Sequence, residues 1–199
     1  MSPLRIAVPN WSSGISLSSY LLVGAAFVVL QGLVLLAMGQ PPICECGHVT
    51  LWSGAVQGPE TSQQLTDWYI YTHVVHGIAF YLILWFVVPN APVGLRLALA
   101  LGLEAGWEIF ENTPFIINRY RESAIAQGYF GDSVINSLSD TLASAGGFVL
   151  ARISPVWMIG VLVVATELFS AYMIHDNLVL NIIQLIHPSE AISNWQVGG

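Results

Sequence analysis

The chain has 199 residues, of which 55% are hydrophobic and only 9% charged, and its mean hydropathy is +0.67. A soluble domain carries about 25% charged residues, so the composition predicts a single all-α domain, residues 1–199, buried in a membrane as a helical bundle. The net charge is -7, all five bases are arginine and no basic run occurs, which excludes nucleic-acid binding and polybasic attachment to anionic lipid.

Five spans can be drawn in chain order. The first, about Ser19–Met38, is long enough to cross and is not followed by a clean cleavage site. A polar loop, Gly39–Asp67, holds Pro41-Pro42, the only two cysteines (Cys44 and Cys46) and a Gly/Ser/Gln-rich stretch. A bond across one intervening residue closes a strained ring, so two free thiols are expected, with transient metal or redox chemistry as the alternative. The second span, about Trp68–Val88, ends at Pro89-Asn90-Ala91-Pro92. The third, about Val93–Asn112, ends at Pro114. A second polar loop runs to Asp132, and the fourth and fifth spans cover about Ser133–Ala151 and Pro155–Ile174. The apolar segment Leu178–Ile186 is too short to span and reads as an interfacial helix.

Arginine in short loops sets orientation. A cytoplasmic N-terminus leaves Arg5, Arg96 and Arg152 inside, and puts Arg119, Arg121, the cysteine loop and the C-terminus outside. Phosphate-binding glycine motifs are absent, so no nucleotide is expected.

The chemistry lies in the spans. Glu104, Glu108 and Glu111 are spaced by four and three, which stacks them on one helical face. Asp132, Asn136 and Asp140 are spaced by four and four, again one face, with hydroxyls from Ser133, Ser137 and Ser139. His73 and His76 share a side of the second span. Intramembrane carboxylates are costly unless neutralised, paired or hydrated. All these groups fall in the half of the bilayer next to the loop that holds Arg119 and Arg121. That agreement in depth, rather than any one motif, points to a site.

Three readings follow. One is a divalent metal (zinc, manganese or iron) held by His73 or His76 with Glu108 and Asp140. The second is acid–base catalysis by Glu104, Glu108, Glu111, Asp132, Asn136 and Asp140 on a lipid-borne substrate, with Arg119 and Arg121 holding its anionic group. The third is a satisfied polar network that pins the helices in register. The preferred function is an enzyme or binder acting on a membrane lipid or lipid-linked substrate. The alternative is an accessory subunit whose polar groups meet a membrane-protein partner. An ion-coupled transporter is disfavoured by the lack of inverted symmetry. Gly146-Gly147 is expected to permit close helix approach.

The stretches Cys44–Gly47, Ser62–Tyr69, His73–Gly77, Trp107–Pro114, Ile117–Arg121, Gly131–Asp140 and Asp176–Asn181 resemble the DUF2585 family, also called UPF0314. The resemblance covers nearly the whole chain from Cys44 onward. It implies a bacterial inner-membrane location and supplies no chemistry. His175 stands where arginine is expected. At the level of pattern, the histidine-, glutamate- and Asp-x-x-x-Asn-bearing spans are also similar to VanZ-like membrane proteins.

Overall fold

A computed structural model describes residues 14–123 and 125–198; Arg5, used in the orientation argument, lies outside them. The described residues form eight helices and no strand: α1 Leu17–Met38, α2 Ile70–Val87, α3 Val93–Glu111, α4 Pro114–Tyr120, α5 Val134–Ile153, α6 Val156–Ile174, α7 Leu178–Ile186 and α8 Glu190–Val197. Four of them, α1, α2, α5 and α6, are long and apolar enough to cross a membrane. The chain is therefore read as a multi-pass membrane protein. α3 has 19 residues, a similar length, but carries Arg96, Glu104, Glu108 and Glu111.

Local chemistry sets the helix ends. Ser16 caps α1 by accepting from Ser19 N, and Gly39 closes it in the left-handed region at φ 93°. Ser133 and Asn177 cap α5 and α7 in the same way as Ser16. Pro114 opens α4 at a position where the missing N–H costs nothing.

α2, α3 and α5 form the centre. α1 packs mainly on α3, and α6 lies outside on α2 and α5. α2 and α5 cross most closely. A Cβ on Gly77 would run into the Ser144 carbonyl, and one on Gly147 into the Val74 carbonyl. Gly146 has open space beside it, so only the second glycine of the expected pair makes the approach. The outer helices turn large apolar side chains outward, such as Leu22 and Leu33 on α1 and Val161, Val164 and Leu168 on α6. That is the composition of a lipid-facing surface.

The interior divides along its length. Apolar clusters, Leu84 with Ala100 and Phe148 and Ile78 with Ala151 and Ile159, fill one half. The other half is polar and is closed by the first loop. Gln63 and Gln64 are fully buried. Gln63 Nε2 donates to Gly131 O at 2.8 Å, Ser133 Oγ donates to Gln63 O at 2.9 Å, and Asn136 Nδ2 donates to Gln64 O at 2.8 Å. A segment that reads as a polar loop is thus a plug docked on the start of α5. Within it, Cys44 and Cys46 are joined as a disulfide, which corrects the expectation of two thiols. Cys44 is 2% exposed, whereas Cys46 lies on the surface.

Candidate functional site

The polar half of the bundle converges on His73. Its Nδ1 lies 2.7 Å from Glu104 Oε1 and 3.2 Å from Glu108 Oε1, and its Nε2 lies 3.8 Å from Asp140 Oδ2. His76 Nδ1 lies 3.2 Å from the same Glu104 Oε1. Three helices supply these groups: α2 the histidines, α3 the glutamates and α5 the aspartate. The 3.6-residue period explains the convergence, because the three- and four-residue spacings hold each set on the face turned to the bundle axis. Glu104 and Glu108 are fully buried, and His73 and Asp140 nearly so.

The hydrogen bonds define what the imidazoles can do. Glu104 Oε1 accepts from both Nδ1–H groups, which leaves each Nε2 free. The Nε2 of His73 then faces Asp140 across a gap too long for a hydrogen bond. Glu104 Oε2, Glu108 Oε1 and Asp140 Oδ1 are buried and have no hydrogen-bond partner. Buried polar atoms are nearly always satisfied, so these three oxygens are exceptions within the cluster. Two overlapping sets, His73 with Glu108 and Asp140, and His73 with His76 and Glu104, each place their ligand atoms within 4.8 Å of one another.

The network continues behind His73. Ser137 Oγ donates to Glu108 Oε2 at 2.6 Å and accepts from Gln31 Nε2 at 2.7 Å. Thr141 Oγ1 donates to Gln31 Oε1 at 2.8 Å. Gln31 is fully buried and was not singled out from the sequence. Its signal was present: it is the only amide side chain in the otherwise apolar run of α1.

In front of His73 a cavity of about 310 Å³ opens toward the loops. His73, His76, Glu111, Asp132 and Asp140 reach it, beside the aromatic faces of Phe80 and Trp107. α7 and α8 roof it with Leu178, Ile182 and Gln196. Three phenols line it, Tyr69, Tyr120 and Tyr129. Burial holds Tyr120 and Tyr129 well above the ordinary phenol value, so both stay protonated. Tyr129 OH donates to Asp132 Oδ1 at 2.9 Å, and Asn112 Nδ2 donates to its Oδ2 at 2.7 Å. Burial raises Asp132 despite these bonds. It also lifts Asp67 and Asp176 to about 6.

The remaining candidates stand apart. Asn136 is turned to Gln64 rather than to the cavity. Arg119 donates to Leu185 O at 2.8 Å and Ile186 O at 3.0 Å, and pairs with Glu122 at 2.6 Å. Those are the unsatisfied carbonyls at the end of α7, a normal place for an arginine. Arg121 Nε donates to Tyr129 O at 2.5 Å. Neither arginine lines the cavity.

Comparisons with known proteins agree with the resemblance read from the sequence. The family model described as "Protein of unknown function (DUF2585)" matches residues 35–198. A UPF0314 protein of Sphingopyxis alaskensis is 49% identical over 94% of this chain and 98% of its own length. UPF0314 proteins of Paracoccus denitrificans and Agrobacterium fabrum are 47% and 45% identical, over 85% and 87% of this chain and 88% of their own lengths. No solved structure matches the chain. A family model over most of the length and bacterial relatives aligned nearly end to end lead to one conclusion: the chain belongs to the DUF2585 family, whose curated members are named UPF0314 proteins.

Proposed function

We propose that the protein binds a divalent cation (zinc, manganese or iron) through His73, Glu108 and Asp140, and uses it on a lipid-linked substrate that enters the adjoining cavity. The observation that carries this reading is the gap between His73 Nε2 and Asp140 Oδ2. With Nδ1–H on Glu104, this 3.8 Å gap sets the Nε2 lone pair opposite a carboxylate oxygen. Two ligands each about 2.1 Å from one tetrahedral ion sit about 3.4 Å apart, so binding would draw the two atoms slightly together. Glu104 plays the part of an orienting carboxylate: it takes the Nδ1–H and points Nε2 at the ion. His76, oriented by the same carboxylate oxygen, stands at the cavity wall as a proton carrier or a further ligand. The cavity pairs an aromatic and aliphatic side with an acidic one, which suits a lipid-linked molecule. Since the arginines are engaged elsewhere, the cation supplies the positive charge that an anionic headgroup needs.

The expected result is stoichiometric metal in the purified protein, lost in Asp140→Asn and weakened about 10–100-fold in Glu104→Gln, the size of effect seen for groups that orient ligands. Elemental analysis of well-folded samples checks it. Undiminished metal in folded Asp140→Asn would exclude this ligand set. Mass spectrometry of lipids retained by the wild type and lost from Asp140→Asn identifies the substrate class.

In this reading α3 is a fifth span in a bacterial inner membrane, with the N-terminus cytoplasmic and the C-terminus periplasmic. Its support is the burial of Arg96, Glu104 and Glu108 within a helix packed on α1, α2 and α5. Reporter fusions after Gly39, Asn90, Gln127, Ile153 and Gly199 should alternate out, in, out, in, out. A cytoplasmic signal at Gly199 would reject the topology.

A further inference from the structure

Beside the histidine-centred set lies another. Glu108, Glu111 and Asp132 place carboxylate oxygens within 4.8 Å of one another. No arginine forms an ion pair with any of them among the described residues. Their neighbours include neutral donors: Asn112 and Tyr129 hold the two oxygens of Asp132. Donors of this kind orient ligands and do not cancel charge. Glu108 belongs to both sets. It is fully buried, gives one oxygen to Ser137 and leaves Oε1 without a hydrogen-bond partner.

We infer that the protein holds a second divalent cation between Glu108, Glu111 and Asp132, with Glu108 bridging the two ions. The inference rests on the single-cation reading and extends it. Charge supports it. Among the described residues, Glu104, Glu108, Glu111, Asp132 and Asp140 meet two imidazoles and form no ion pair with an arginine. With every carboxylate ionised and the imidazoles neutral, one divalent ion leaves three negative charges uncompensated and two leave one. Unpaired buried charge is strongly destabilising, so what the first ion leaves over is neutralised either by protons or by a second ion, and the Mn²⁺ count distinguishes the two. Shape supports it too. Two ligand sets sharing one carboxylate match centres whose ions sit about 3.5–4 Å apart. The second set is all oxygen and selects a hard ion such as Mn²⁺ or Mg²⁺. Glu111 and Asp132 both reach the cavity, so this ion and its neighbour would together take a phosphate or carboxylate headgroup of a lipid-linked substrate as a bridging ligand.

The test uses the full chain in lipid nanodiscs, stripped of metal and dialysed against Mn²⁺. Elemental analysis should give two Mn²⁺ per chain, and electron paramagnetic resonance should show the broadened spectrum of a spin-coupled pair. Glu111→Gln should retain one Mn²⁺ with the resolved hyperfine pattern of an isolated ion. One Mn²⁺ in the wild type, two without coupling, or two retained by Glu111→Gln would each overturn the inference. If Glu111→Gln does not fold, wild-type stoichiometry and coupling decide alone. A wild type with one ion, lost in Asp140→Asn, rejects the second site and leaves the first standing. A wild type that takes up no Mn²⁺ and, in parallel loading, no Zn²⁺ or Fe²⁺ rejects both.

Discussion

Glu108→Gln should make the metal-free protein more stable and abolish its response to metal. Glu108 is fully buried. Its Oε2 accepts from Ser137 Oγ at 2.6 Å, a bond that a glutamine carbonyl can keep. Its Oε1 lies 3.2 Å from His73 Nδ1, but that hydrogen is committed to Glu104 at 2.7 Å. The lost charge therefore had little pairing of its own, while Asp140, Glu111 and Asp132 crowd it. Relieving one unsatisfied buried group is worth about 1–3 kcal/mol, so the metal-free melting temperature should rise. In the wild type, metal at about 100 times its dissociation constant adds about 2.7 kcal/mol; the variant should gain almost none. Melting curves with and without Mn²⁺ measure both effects. The opposite outcome has a clear meaning. If the cluster only pins helices together, breaking it should cost about 3–5 kcal/mol with no change in bound metal.

The helical layout was readable because each long apolar run ends at proline or a polar cluster. α1, α2, α3, α5 and α6 begin and end within two residues of the expected spans. The short helices α4 and α8 were not seen. With seven and eight residues, neither is long enough to display a periodic face. The count of spans depends on α3, whose buried charges give it the composition of a polar helix although they turn inward.

The site was readable as faces and depths, and the structure brings His73, His76, Glu104, Glu108 and Asp140 together on that basis. Pairwise roles were not readable. Spacing cannot say that one oxygen of Glu104 serves two imidazoles, nor that Asn136 turns to the loop. It also cannot show that the tail folds back so that Arg119 meets the carbonyls of α7. Each of these depends on contacts between residues far apart in sequence, and so does the burial of Gln63 and Gln64 in a stretch that looks like solvated loop. The cysteine pair failed for a different reason. Ring strain across a single intervening residue argues against the bond, but the structure joins the two cysteines.

Gly77→Ala should be among the most damaging single-methyl changes in the chain, and Gly146→Ala among the mildest. At Gly77 the new Cβ would meet the Ser144 carbonyl oxygen, with the Ser144 carbonyl carbon at 2.6 Å and Phe148 N at 2.8 Å. These are backbone atoms of α5 and cannot rotate away as a side chain could. The two helices must separate, and separation opens the contact between Val74 and Gly147 as well. Overpacking a core costs about 1–3 kcal/mol when side chains can adjust, and sometimes more; here at least about 3 kcal/mol is expected because none of the obstacles is a side chain. The damage should reach the site. His76 precedes Gly77, His73 lies one turn earlier, and Asp140 lies one turn before Ser144 on the opposing helix. Moving α2 from α5 widens the 3.8 Å gap between His73 Nε2 and Asp140 Oδ2, so metal should be lost along with stability. Gly146 is the control: it is exposed, its Cβ would meet nothing within 4 Å, and a change within about 0.5 kcal/mol is expected. Thermal melts and metal content of the two variants make the comparison. Equal behaviour of Gly77→Ala and Gly146→Ala would mean that the α2–α5 crossing is looser than the structure has it, and that the metal ligands are not held by it.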